Sequence, residues 1–245
     1  MKPFVSQLRS ELTVMARNGE QLLLILVIPL GLLVFFSLVD VLPTGSSSAI
    51  DFLVPGVVAL AVMSTAMVSL GIATGFERQY LVLKRLDATP LGAGRLLAAK
   101  TSAILLIELL QVALIASVGF ALGWSAPATS WVSVIVAVLI GTCAFAGLGL
   151  LLAGTLRAEV NLAAQNALYL AMLLVGGIVI AEESMPVALA NLSAALPATA
   201  LGTVLRDAMV GQSPFTSTAW GVLTAWAVVT PLLAWRFFRF APNQR

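Results

Sequence analysis

Residues 75–100, GFERQYLVLKRLDATPLGAGRLLAAK, hold five of the chain's thirteen Lys and Arg residues: Arg78, Lys84, Arg85, Arg95 and Lys100. Long, almost uncharged apolar runs flank this stretch on both sides. Across the 245 residues 60% are hydrophobic, only 10% are charged, and the mean hydropathy is +1.04. A soluble domain carries about 25% charge. A water-soluble fold of this length has too little interior to hide so much apolar surface. The chain therefore reads as an all-α integral membrane protein, and residues 75–100 as a charged connection held outside the bilayer.

Working outward, a spanning helix needs roughly 20 apolar residues at about 1.5 Å of rise each. Six stretches qualify, at about Leu22–Leu42, Phe52–Gly75, Leu97–Trp124, Trp131–Leu156, Leu162–Ala181 and Thr218–Phe238. Pro29 and Pro231 fall inside spans, where neighbouring helices can satisfy the carbonyls they free. With six spans, Lys2, Arg9, Arg17, the five cations of residues 75–100, Arg157, Arg236, Arg239 and Arg245 all lie on one side. Only Arg206 lies on the other. Positive charge collects on the cytoplasmic side, so both termini are expected there.

Two segments sit beside the spans. In residues 1–20, Phe4, Val5, Leu8, Leu12 and Met15 share one helical face, flanked by Lys2, Arg9 and Arg17. That pattern suits a helix lying in the cytoplasmic interface with its apolar face in lipid, stopped at Asn18-Gly19. Residues 182–217 are too polar to span and too apolar for a plain loop, and Pro186 and Pro197 break them. They are expected to form two short helices dipping into the outer leaflet.

Composition excludes several function classes. There is no His and a single Cys, Cys143, inside an apolar run. That rules out a disulfide within the chain and a His/Cys metal cluster. The first twenty residues are too polar, and the first apolar run too long, for a cleaved signal peptide. GRLLAAKT, residues 94–101, falls short of a phosphate loop because Ala99 stands at the second Gly and no strand precedes it. The Gly92-x-Gly94 pair likewise meets Leu97 where a dinucleotide fingerprint needs a third Gly. No nucleotide or nucleic-acid site is expected on this chain.

On a helical wheel over residues 76–86, Phe76, Tyr80, Val82, Leu83 and Leu86 share one arc. Glu77, Arg78, Lys84 and Arg85 oppose them, with Leu81 among the charges. The expectation is one helix, apolar arc on the membrane domain and charged arc in the cytoplasm. Thr89 and Pro90 then serve as N-cap and first residue of the next helix.

The segment E-R-x-x-x-x-L-K-R-L-x-x-T-P (Glu77, Arg78, Leu83, Lys84, Arg85, Leu86, Thr89, Pro90) lies between spans two and three. The run P-x-T-x6-R-x4-G (Pro197, Thr199, Arg206, Gly211) precedes the last span. With the interface helix and six spans, these resemble the permease subunit of type-2 ABC exporters, nearest the daunorubicin-resistance branch of drug exporters, along essentially the whole chain. Leu81 stands where that family often has Gly, and Leu196 where it has Asn. The resemblance implies a single permease domain over residues 1–245 in a bacterial plasma membrane. It implies a dimer with a second, identical or homologous permease, and two ATP-binding subunits that carry the ATP and Mg; no cofactor sits on this chain. Residues 75–90 would be the coupling helix, with Glu77, Arg78, Leu81, Lys84 and Arg85 docking on the ATPase. Amphiphilic drugs or lipids would be the cargo, moved by alternating access at the dimer axis.

Several polar residues lie at membrane depth. Glu108 falls about 12 Å along the helix from Lys100, with Gln111 one turn on. A carboxyl there is costly unless paired or neutral. It is either a cation or proton contact in the substrate path, or a hydrogen-bonded tie between helices. Asn161, Gln165 and Tyr169 form a stripe at the start of span five beside Asn166, and Thr65 and Ser69 a weaker one in span two. In the resembled family these spans border the central cavity, so both stripes are substrate-path candidates; interhelical hydrogen bonding is the other reading. Two further function classes remain. One is an ion- or proton-coupled secondary transporter using Glu108, although the inverted repeats and broken spans common in that class are not evident. The other is a membrane-embedded enzyme, for which Glu182-Glu183 has no catalytic partner in view.

Overall fold

The computed structural model describes residues 2–39, 49–87, 92–125, 129–176, 186–210 and 217–240. Every element among them is helical: α1 Lys2–Arg17, α2 Gly19–Leu38, α3 Ala49–Val62, a π-helical stretch Met63–Ser69, α4 Leu70–Gln79, α5 Val82–Asp87, α6 Ala93–Ala121, α7 Trp131–Thr155, α8 Ala158–Val175, α9 Val187–Ala194, α10 Pro197–Val210 and α11 Thr218–Phe237. Five helices are long and apolar enough to cross a bilayer singly: residues 50–79, α6, α7, α8 and α11. Two pairs are sharply bent, α1/α2 by 68° and α9/α10 by 76°; counting each pair as one span raises the number to as many as seven. The 20 residues of α2 reach about 30 Å, so α2 taken by itself gives the expected six. α9 and α10, with 8 and 14 residues, are each short of a full crossing and form the bent pair expected before the last span.

The core is built where α3, the π-helical stretch, α7 and α10 meet, around Val54, Met63, Met67, Phe145 and Leu201. The π-helical stretch is seamless with its neighbours: the Leu70 amide reaches the Thr65 carbonyl, five residues back. Such a turn absorbs an extra residue and re-aims the face that follows. α7 accommodates its bulge with glycine. A Cβ at Gly149 would stand 2.6 Å from the Met67 carbonyl oxygen, so any other residue there forces the two helices apart.

At one end of the bundle the loop before α7 closes off α10. The Ser130 amide donates to the Ala208 carbonyl (2.8 Å) and the Thr129 hydroxyl to that of Met209 (3.0 Å), satisfying acceptors a helix end leaves open. From α11, the Trp226 indole N–H reaches the Ala195 carbonyl between α9 and α10 at 2.9 Å. At the other end, α1, the end of α4, α5, the starts of α6 and α8, and the ends of α7 and α11 come together. The first and last described helices thus share one end of the bundle.

Two local expectations change. Leu8, Leu12 and Met15 of α1 pack on the bundle instead of facing lipid; Val5 and Val14 stay exposed. A short amphipathic helix gains more from a protein groove that its side chains fill than from bilayer contact alone. The helix into span three begins at Ala93, with Gly92 at the cap and φ 70°. Thr89 and Pro90, like Glu182-Glu183, Gly211 and Arg245, lie outside the described residues.

Candidate functional site

The charged segment does not form the single helix of the wheel. α4 ends at Gln79, and Leu81 adopts φ 61°, a left-handed conformation that costs a Cβ-bearing residue roughly 1–2 kcal/mol and glycine almost nothing. The chain turns there and restarts as α5. This explains why glycine suits the position in the resembled family.

The break sends the two halves of the charge in opposite directions. Arg78 is only 4% exposed. Its guanidinium donates to the carbonyls of Ala153 (2.6 Å) and Leu156 (3.0 Å) at the end of α7, where a cation meets both open acceptors and the negative pole of the helix. Glu77 faces Lys100 Nζ at 2.7 Å, and Glu11 of α1 approaches the same nitrogen at 3.0 Å. One buried ammonium thereby ties α1, α4 and α6 together. Gln79 donates to Glu159 at the start of α8 (2.8 Å). Glu77 and Arg78, expected on an outward charged face, are instead engaged inside the chain. The outward face is made by Tyr80, Leu81, Val82, Lys84 and Arg85.

α5 is anchored from beneath. Leu83 is fully buried against Leu96 of α6, with Leu86, Phe238 and Phe240 packed around them. The chain after α11 reaches this cluster by crossing the end of α7. The Arg239 amide donates to the Gly154 carbonyl (3.2 Å), and a side chain at Gly154 would run into the Phe238 ring. α5 thus packs on both α6 and the chain that follows α11.

Within the membrane, the polar candidates resolve mostly into ties between helices. Gln111 donates to the Ile25 carbonyl (2.8 Å) and accepts from Thr65 (3.1 Å), joining α2, α6 and the π-helical stretch. Asn161 donates to the Gly71 carbonyl (2.9 Å), and Gln165 to those of Gly149 (3.0 Å) and of the Asn161 side chain (3.2 Å). Gly71 and Gly75 leave the room: a Cβ at Gly75 would stand 2.5 Å from the Asn161 amide nitrogen. Both Asn161 and Gln165 are fully buried.

Glu108 is also fully buried, with one carboxyl oxygen against the Thr142 hydroxyl and the other without a partner. The Thr142 hydroxyl sits 2.7 Å from the Val138 carbonyl too. One hydroxyl proton cannot serve both acceptors. With that proton on Val138, the carboxyl must itself donate, so the arrangement suits a neutral Glu108.

Three candidates lie elsewhere. Asn166 is exposed and bonds its own helix at the Leu162 carbonyl (2.9 Å), and Tyr169 is half-buried. Ser69 lines an open cavity of about 530 Å³ between α2 and the π-helical stretch, together with Asn18, Glu20 and Ser64. Sequence reading missed Glu11 and Thr142 as partners, and took Lys100, near the start of span three, only as one of the cations of the cytoplasmic side. Its place near the start of α6 carries no sign of which carboxylate will reach it.

A polytopic helical bundle, with a short charged helix at one end and polar residues consumed in interhelical ties, is built as a multi-pass membrane protein and offers no catalytic cluster among the described residues. The chain belongs to the ABC-2 type transporter family, whose model matches residues 4–210, from α1 through α10. No curated protein matches the chain. Members of this family form the membrane component of a transporter and normally work with an ABC ATP-binding subunit.

Proposed function

We propose that this chain is the transmembrane subunit of an ATP-driven exporter of amphiphilic compounds, drugs or lipids, in a bacterial plasma membrane. In this reading two permeases, identical or homologous, pair and alternate access at their shared axis. Two copies of the ATP-binding subunit, carrying ATP and Mg, dock from the cytoplasm at the end that holds α1 and α5, and both permease termini face the same compartment. Residues 182–217 then belong to the far side.

The observation that carries this reading is α5. Its outer face and the turn before it offer Leu81, Val82, Lys84 and Arg85 to a soluble partner, while Leu83 beneath packs on α6 and on the chain after α11. A groove closing on that face would move two spans at once. The cavity beside Ser69, apolar along Leu24, Ile25 and Ile28 with a carboxylate at Glu20, supports an amphiphilic cargo.

The test is capture of a candidate ATP-binding subunit by the solubilised permease, followed by ATP-dependent transport in vesicles. A permease that transports amphiphiles under a proton gradient without any ATPase would sink this proposal in favour of coupling through Glu108.

A further inference from the structure

The open cavity of about 530 Å³ beside Ser69 owes one wall to the π-helical stretch, which supplies Ser64, Val68 and Ser69. In an α-helix, residue 69 would stand about 140° around the axis from residue 64. Winding with a hydrogen bond five residues back brings the two serines to the same cavity. Such stretches are rare and frequent at functional sites. The opposite wall is α2, from Glu20 near the bend with α1 down to Ile28, about 12 Å of helix. That is less than half of a hydrocarbon core of ~30 Å, so the cavity stays on the side of α1 and α5.

The lining itself selects the occupant. Among the described residues that line the cavity, Glu20 alone is charged. It lies in the first turn of α2, exposed at the cavity mouth, and makes no ion pair among the described residues. Arg17 ends α1 on the other side of the 68° bend and is not part of the lining. Below Glu20 the walls are mainly apolar, with Leu24 and Ile28 facing Val68 and Ile72. The volume falls in the range of about 300–1,000 Å³ that takes a drug-sized molecule. A phospholipid would set its phosphate beside that carboxylate, with no cation in the lining to offset the repulsion. A cationic head on an apolar body matches both ends, and the carboxylate's attraction is strengthened by the hydrocarbon at its side.

We propose that this cavity binds a lipophilic monocation, with its ammonium at Glu20 and its apolar body between α2 and the π-helical stretch. Calling that cation the cargo rests on the transport reading, which it sharpens by fixing the sign of the charge; the binding itself needs no ATP-binding subunit.

Ser64→Cys combined with Cys143→Ser places the chain's sole thiol on the cavity wall; Ala73→Cys, on the same wall, takes its place if that variant does not fold. The full chain is reconstituted in phosphatidylcholine vesicles, and alkylation by N-ethylmaleimide is timed with dodecyltrimethylammonium or dodecyl sulfate as a minor bilayer component. Cys143 of the parent chain, exposed and outside this cavity, corrects for what added charge does to thiols throughout the bilayer. At about ten times its half-saturating fraction the cation should slow alkylation roughly tenfold, since protection follows 1 + [L]/Kd. The sulfate of the same chain length should slow it less than twofold. Glu20→Gln should weaken the cation about fivefold, the size of an exposed ion pair, so that the same fraction slows alkylation only about threefold. No protection by the cation, equal protection by the sulfate, equal slowing at Cys143, or undiminished protection in Glu20→Gln each overturns the proposal. Because no ATP-binding subunit is present, such a result leaves ATPase capture, the test of the transport reading, to be judged separately.

Discussion

Gln111 Nε2 donates to the carbonyl of Ile25 at 2.8 Å, the very acceptor that Pro29, four residues further along α2, cannot serve. α6 thus repairs a hydrogen bond that α2 lost to its own proline. In water that carbonyl would find a solvent partner; in hydrocarbon it has none.

Gln111→Leu should therefore destabilise the bundle by about 1–3 kcal/mol, the cost of a buried group left unsatisfied. In a Pro29→Ala background, the backbone N–H restored at that position can donate to the Ile25 carbonyl itself, and the same substitution should cost clearly less. Unfolding midpoints of the four proteins in mixed micelles give the coupling. A cost for Gln111→Leu that is independent of the Pro29 substitution would show that Gln111 matters for another reason.

Among the described residues, Lys100 is the cation that pairs with both Glu11 and Glu77. Lys100→Met should cost about 2 kcal/mol, less than the 3–5 kcal/mol of a wholly buried broken pair, because the Glu77 side chain is 29% exposed. Adding Glu11→Gln and Glu77→Gln should recover most of the loss. Thermal unfolding in detergent reports this, and limited proteolysis after α1 reports whether that helix has come away.

Leu81 sits at the α4–α5 turn with φ 61°. Leu81→Gly should raise stability by up to about 1 kcal/mol, and Leu81→Val should lower it, since a β-branched residue fits the left-handed region worst. On partner binding the order reverses. Leu81 is 39% exposed, and covering that remainder is worth about 1 kcal/mol out of the 1.5–3 kcal/mol of a whole leucine. Leu81→Gly should then weaken ATPase capture roughly fivefold, and Leu81→Asp, which the turn tolerates, more so. Lys84→Ala should have a smaller effect, of the size of a single exposed ion pair. Wild-type capture by Leu81→Asp would remove Leu81 from the docking surface.

Glu108→Gln retains a donor for Thr142 at nearly the same volume. Stability and assembly should stay within about 0.5 kcal/mol of the parent, and the pH profile of transport should be unchanged. Glu108→Leu leaves Thr142 its bond to Val138 and should also be tolerated. A shifted or flattened pH profile in Glu108→Gln would instead assign the carboxyl a proton that moves during transport.

By itself the sequence determined the all-helical membrane fold, the position of the apolar runs, the collection of cations between the second and third of them, and the bent helix pair before the last. These are properties of stretches about twenty residues long, set by the contrast between hydrocarbon and water, and they need no knowledge of neighbours. It could not determine where individual side chains point. Glu77 and Arg78 look like the outer face of one helix until Leu81 turns the chain, and a single residue's backbone angle leaves no trace in hydropathy. The only hint was that glycine is frequent there in the resembled family. In the same way, Asn161 and Gln165 resemble a path for substrate until Gly71 and Gly149 bring two other backbones within hydrogen-bond range. The partners of Lys100 and Glu108 come from helices dozens of residues away. Only packing brings those groups together, and in a bilayer, where every backbone and buried polar group must find its match inside the protein, packing decides which polar residues remain free for function.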